Sequence, residues 1–172
     1  MQLKELQANG VPVLFRPLHE AEGKWFWWGA KGPEPAKKLY KLVFDRLTRV
    51  HGLQNLLWVW NSVASDWYPG PSYVDIVSAD TYTQNDHGPI SSTYNSLVAL
   101  TGDTKIIAAA EIGSVMEPAL LQAHRADWAW FVVWSGEYVE GGVWNSLELL
   151  KRVYNDVYVL TLDEILGWRG TV

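Results

Sequence analysis

The chain has 172 residues, a formal net charge of −5, 48% hydrophobic residues and no cysteine. That length supports a single domain with a real core, and a mildly acidic chain without Lys/Arg clusters excludes a phosphate backbone as partner. The longest apolar runs are strand-sized, well below the roughly 18 to 20 residues needed to span a bilayer, and the absence of cysteine removes disulfides and thiolate metal sites.

In chain order, Met1 is followed by Gln-Leu-Lys-Glu-Leu-Gln, too polar for a signal peptide. Val11 to Pro17 reads as a strand, with Pro12 tolerated near its start. A Gly- and Trp-rich loop from Glu22 to Gly32 leads to a helix opened by Pro33-Glu-Pro, with apolar residues at helical spacing up to Val50 and Gly52 as its stop. Asn55 to Asn61 is a second strand and Val74 to Asp80 a third. A helix follows from Ser91 to Leu100, closed by Gly102. Lys105 to Glu111 is the fourth strand and Glu117 to Trp128 a helix started by Pro118. Trp130 to Trp134 is the fifth strand, Ser146 to Asn155 a helix, and Val157 to Leu166 an extended piece with one helical turn.

Strands alternating with helices at this spacing indicate right-handed βαβ units on a parallel sheet. No Gly-x-Gly-x-x-Gly or Gly-x-x-x-x-Gly-Lys follows any strand, which leaves a nucleotide-binding open sheet without support. Polar and aromatic residues gather instead at the C-terminal ends of the strands: Arg16, His19 and Glu20; Trp60 and Asn61; Asp80 and Tyr82; Glu111; Trp134. A parallel (β/α)8 barrel builds its active site there. His19, His51, His87 and His124 show no metal-ligand spacing, so neither a metal site nor a cofactor is expected.

Eleven tryptophans are several times ordinary usage. Indoles gathered near strand ends suit the flat apolar faces of pyranose rings, although core packing accounts for some of them. Glu20 and Glu111 close the first and fourth visible strands, three βα units apart, and would face one mouth. Two carboxyl groups, one protonated and one ionised, are what glycoside hydrolysis needs. Two unrelated structural ion pairs are the plain alternative. Small residues, Ala108 to Ala110, precede Glu111 and leave room for a substrate. Arg16 lies four residues before Glu20, so alternation puts both on one side of a strand. Its guanidinium would keep a neighbouring carboxylate ionised.

The run Arg16-Pro-Leu-His-Glu20-x-x-Gly-x-Trp25-Phe-Trp-Trp-Gly29 resembles the acid/base segment of glycoside hydrolase family 26, mostly endo-β-1,4-mannanases. Trp58-Val-Trp-Asn61 resembles that family's fifth strand, Asp75 to Tyr82 its sixth, Glu111-Ile-Gly113 its seventh and Trp134-Ser its eighth, and the similarity runs from about Leu3 to Trp168. The resemblance implies a (β/α)8 barrel of which about strands 4 to 8 are present, with residues 1–172 forming one partial catalytic domain. Met1 to Gly10 would then end the helix before the fourth strand. The resemblance makes Glu20 the general acid/base and Glu111 the nucleophile of a retaining mechanism, with the two carboxyl groups about 5 to 5.5 Å apart. Trp25 and Trp134 would stack on sugars, Tyr82 would orient the nucleophile, and Asp80, Arg16 and His19 would support the carboxylates. Trp60 and Asn61 are further candidates for the pocket; for Trp27, Trp28 and Trp58, packing behind the mouth is at least as good a reading.

The partner this implies is a polysaccharide, mannan or galactomannan, met outside the cell, with mixed-linkage β-glucan or β-xylan as the alternative on the same mechanism. A non-catalytic carbohydrate-binding remnant is the alternative from another class. A typical barrel takes about 250 residues, so the first three strands would be supplied by a longer parent, by a second chain, or not at all. The exposed strand edges and apolar surface of such a piece favour the first of these.

Overall fold

The computed structural model describes residues 2–165. Leu166, the end of the expected helical turn, and Trp168, the end of the family-like stretch, lie outside them. Five strands, β1 (Val13–Phe15), β2 (Leu56–Asn61), β3 (Ile76–Thr81), β4 (Ile106–Ile112) and β5 (Phe131–Val133), pair in sequence order, and every pairing is parallel. An open doubly wound sheet reverses its strand order at a switch point. None occurs here, so the sheet is an arc of barrel wall, with β1 and β5 as its edges among the described residues.

The helices are α1 (Gln2–Ala8), α2 (Pro33–Asp45), α3 (Ser91–Thr101), α4 (Pro118–His124) and α5 (Leu147–Tyr154). Pro33 opens α2 at a position where a missing N–H is harmless. Its end runs into a π-turn, Arg46–Val50, before Gly52 at φ 64 stops it. Gly102, at φ 59, returns its N–H to the Val98 carbonyl and closes α3. The helix expected to reach Trp128 ends at His124. Arg125 turns left-handed at φ 52 and Ala126 bonds back to the Leu121 carbonyl, which aims the chain into β5. No described helix is long and apolar enough to cross a membrane.

One face of each strand packs on the helices. Trp58, Trp60, Val77, Ala79 and Ile107 join Ala36, Tyr40 and Leu97 in the main core, while Ala109 and Ile112 pack with Leu121 and Met116. The opposite face, the inside of the arc, holds a much smaller apolar cluster, Val59, Ile76 and Ala108 against Trp130. Around them Leu14, Ile106 and Val132 are each half exposed, and Leu14, Val59, Trp130 and Val132 line an open hollow of about 270 Å3. Both the free strand edges and the apolar exposure expected of five strands out of eight are present.

Candidate active site

Glu111 reaches the site through an irregularity in β4. Strict alternation from Ala108 would turn residue 110 inward and residue 111 toward the helices. The β3–β4 register shifts by one residue here: Ala79 pairs with Ala109, but Asp80 pairs with Glu111. Ala110 is the extra residue, and the bulge re-aims Glu111 beside Asp80 at the C-terminal rim. Ala110 and Glu111 both line a cleft of about 220 Å3 with Arg16, Val133, Trp134 and Ser135.

Three side chains from three strand ends donate to the Glu111 carboxylate. The Tyr82 hydroxyl and the Trp134 indole N–H bond Oε2, the latter at 2.8 Å, and Arg16 Nη2 bonds Oε1. Burial pushes the Glu111 carboxyl up, but these donors and the guanidinium charge outweigh it and hold the group below the usual carboxylate range. It is an anion by design of its surroundings.

Arg16 also bridges to Asp80, with Nη1 at 3.1 Å from Oδ2. Asp80 accepts a further bond from Asn61 Nδ2 at 2.8 Å, and the same amide donates to Ser78 Oγ at 3.2 Å. Despite this support, burial and the like charge of Glu111 push Asp80 up to about 7. The Asn61 side-chain Oδ1 accepts the backbone N–H of Glu20 at 3.1 Å, linking the network to the second carboxylate residue.

Glu20 sits differently. β1 stops at Phe15: Pro17 has no N–H to give to the ladder, and Leu18 turns left-handed at φ 56, so the chain leaves the sheet. The expectation that Glu20 ends a strand, sharing a side with Arg16 by alternation, is therefore corrected. Leu18, Glu20 and Lys24 all take left-handed backbone, at φ 56, 51 and 63, an arrangement costing roughly 1 kcal/mol or more per residue that surrounding packing must hold. Gly29 supplies part of that packing. A Cβ there would lie 1.9 Å from the Ala21 carbonyl oxygen, so only glycine lets the loop close. The Glu20 carboxylate accepts the Trp25 indole N–H at 3.2 Å, and the Trp25 ring lies over Gly23.

The structure thus gathers Arg16, Asn61, Asp80, Tyr82, Glu111 and Trp134 into one hydrogen-bonded cluster, with Glu20 joined through its backbone and Trp25 through Glu20. Two candidates are not part of this hydrogen-bonded cluster. Trp60 is not in the mouth: it points to the helix side of β2, 5% exposed, packed with Tyr68 and Trp67. His19 packs its ring 4.9 Å from Phe26 and 5.9 Å from Trp28, while its carbonyl accepts the Trp28 indole N–H. It props the loop. Of the tryptophans left to packing, Trp58 is buried and Trp28 partly so, but Trp27 is 73% exposed.

Residue types alone did not single out Ser78, fully buried between Asn61 and the Trp60 carbonyl, nor Tyr138 and Asn145, which lie with Trp144 behind the loop that follows Glu111. Ser78 shares the inward face with Ile76 and Asp80, and that alternation was its available signal. Among the described residues no group of three acidic, His or Cys side chains is arranged to hold a metal ion.

The sequence model of glycosyl hydrolase family 26 matches residues 1–164. A mannan endo-1,4-beta-mannosidase of Thermothelomyces thermophilus is 59% identical over 99% of this chain and 35% of its own length. The crystal structure of a Podospora anserina GH26-CBM35 beta-(1,4)-mannanase superposes with a TM-score of 0.94 at 60% identity, over 98% of this chain and 38% of that one. A beta-mannanase from a symbiotic protist of the termite Reticulitermes speratus, complexed with a gluco-manno-oligosaccharide, gives 0.89 at 43% identity, over 97% and 52%. The chain spans between about a third and a half of these relatives. Its five strands match part of their barrel, and the chain belongs to glycosyl hydrolase family 26.

Proposed function

We propose that this chain carries the catalytic half of an endo-acting β-1,4-mannanase that works by double displacement with retention. The observation that carries the reading is the contrast between two carboxyl groups at one rim. Glu111 receives three donors that favour its anion, while Glu20 receives one indole N–H.

Glu111 attacks the anomeric carbon as the bond to the leaving oxygen breaks, and Glu20 delivers its proton to that oxygen. Water then cleaves the glycosyl-enzyme ester, with Glu20 taking the water's proton. Tyr82 and Trp134 share Oε2 and leave the opposite side of the carboxylate to Arg16, so the group presents a fixed edge to the sugar. Trp25 and Trp134, both more than half exposed, offer indole faces to pyranose rings on either side of the cleavage point. A polymeric substrate places this work outside the cell.

Mannan is preferred over β-glucan and β-xylan because the two relatives named as mannanases at about 60% identity span nearly all of this chain. Incubation with mannan, β-glucan and xylan, followed by reducing-end assay and by proton NMR of the first-formed anomer, tests both halves of the reading. Reducing ends from mannan, appearing first as the β-anomer, are expected. The α-anomer first would rule out retention, product from xylan or glucan alone would rule out the sugar, and binding without any product would favour a carbohydrate-binding remnant.

A further inference from the structure

Tyr82 is 40% exposed, so burial alone does not fix the phenol that donates to Glu111. Its ring rests edge-on against Tyr138 at 5.9 Å, Tyr138 rests on Trp144 at 4.8 Å, and Trp144 covers Gly113, where a Cβ would lie 2.5 Å from the indole. These aromatic rings connect the loops that follow β3, β4 and β5. Aromatic contacts of this kind favour a geometry but permit sliding; something directional must set their spacing.

We infer that Asn145 is a positioning residue for the nucleophile: its side-chain amide pins the loop after β4 to the loop after β5 and so holds Tyr138 behind Tyr82. The inference rests on Glu111 being the nucleophile and adds a residue that touches neither substrate nor carboxylate. Asn145 is 1% exposed. Its Oδ1 accepts the Val115 N–H at 2.8 Å, and its Nδ2 donates to the Gly113 carbonyl at 2.8 Å and to the Tyr138 carbonyl at 2.7 Å. Both donors and one acceptor are thus used, on backbone groups two and four residues beyond Glu111 at the near end and on Tyr138 at the far end. The Gly113 N–H in turn bonds the Thr81 carbonyl, and Ser114 Oγ donates to the Thr83 carbonyl at 2.9 Å, which brackets Tyr82 from both sides. A buried amide with every proton spoken for specifies one geometry, because any shift leaves a carbonyl or N–H unpaired. Asn145 lies ahead of the α5 cap, Ser146, which accepts the Leu149 N–H at 3.1 Å, so the helix start does not need it.

The titration of Glu111 reads this coupling whether or not the chain turns over mannan. The full chain is labelled with [δ-13C]glutamate, Glu111 is assigned by its loss in Glu111→Gln, and its midpoint is followed by NMR with Arg16, Asp80 and Trp134 left in place. Asn145→Asp keeps volume and the Val115 contact but turns two donors into lone pairs facing the Gly113 and Tyr138 carbonyls. Tyr138→Ala removes the backing ring without touching Asn145. Each is expected to raise the Glu111 midpoint by about one pH unit, as Tyr82→Phe does by removing the donor itself, and Asn145→Asp should add little on top of Tyr82→Phe. In the active enzyme kcat falls about tenfold with KM within about twofold, the pattern of a misplaced reacting group. A lowered melting temperature with an unmoved midpoint in Asn145→Asp makes the residue a loop staple only and overturns the inference. Should that variant not fold, an unmoved midpoint in Tyr138→Ala overturns it equally. A parent that releases nothing from mannan counts against the mannanase reading, and the shared midpoint shift then still stands for the coupling.

Discussion

The two carboxylates are held by opposite means. Glu111 stands on a strand, re-aimed by one extra residue and gripped by three donors from the ends of β1, β3 and β5. Glu20 stands on a left-handed turn, fixed through its backbone N–H by Asn61 and touched at its carboxylate by the Trp25 indole. With the proposed roles, nucleophile for Glu111 and acid/base for Glu20, the difference would follow from the chemistry each has to do. A nucleophile has to be ionised and aimed before substrate arrives, and preorganised donors do both. An acid/base must carry a proton, release it and take another, so donors crowded on its oxygens would hold it in one state. In that role Glu20 would need a fixed backbone and few donors on its carboxyl.

The sharpest way to break this contrast is to remove each carboxylate in turn. With mannan, Glu111→Gln should lose about 10^4-fold or more in kcat, and Glu20→Gln about 10^2 to 10^4-fold. With an aryl β-mannoside whose leaving group needs no proton, the two should separate. Glu20→Gln forms the glycosyl-enzyme at close to the parent rate, visible by intact mass, and added azide speeds its turnover. Glu111→Gln gains nothing from either change. Recovery of both variants, or of neither, would show that the roles are wrongly divided.

Next in size is the guanidinium that serves two carboxylates on the Glu111 side. Arg16→Met leaves Asp80 and Glu111 adjacent without their shared cation, a loss of roughly 3 kcal/mol of stability above neutral pH. The sign with pH follows from both partners. Asp80, raised from 3.8 to about 7 in the fold, holds more protons folded than unfolded between those values, so its contribution to stability falls as pH rises through that window. Without Arg16 it rises further and the fall steepens. Glu111, held low, contributes stability above its unfolded value and loses it as pH drops. Without Arg16 that contribution shrinks. Both effects make the deficit large at pH 8 and small near pH 4, which urea unfolding at the two pH values measures. An equal deficit at both would mean that Arg16 acts by packing its stem and not by charge.

How much of this was legible in the sequence divides along the same line. The five strands, the places of α2 to α5 and the parallel order followed from apolar runs, Pro33 and Pro118 at helix starts, and Gly52 and Gly102 at helix ends, whereas α1 was expected only from the family resemblance. The Arg16, Asp80, Tyr82, Glu111 and Trp134 cluster was legible because strand ends of a parallel sheet converge. Trp60 was misplaced because an indole at a strand end reads alike on either face, and neighbouring Asn61 takes the inward side. The β4 bulge was invisible: Ala108, Ala109 and Ala110 are interchangeable as residues, and which one is extra depends on the pairing with β3. The left-handed positions at Leu18 and Glu20 were likewise hidden, since neither residue type favours that backbone.

The smallest expected effect probes Glu20 through its loop alone. Gly29→Ala places a methyl where the Ala21 carbonyl oxygen lies, 1.9 Å from an ideal Cβ, and backbone on both sides must give. A loss of about 1 to 3 kcal/mol in stability is expected from such overpacking. The more telling result concerns catalysis. Because Ala21 directly follows Glu20, its displacement moves the proposed acid/base, while Arg16, Tyr82 and Trp134, which grip Glu111 from the ends of β1, β3 and β5, share no contact with Gly29 among the hydrogen bonds described. The variant should therefore fall severalfold on mannan, where the leaving oxygen needs its proton, and stay near the parent on the activated aryl mannoside, with the Glu111 midpoint unchanged. A shift in that midpoint would mean that the two carboxylates are mechanically one unit, and the separation drawn between a gripped nucleophile and a turn-borne acid would fail.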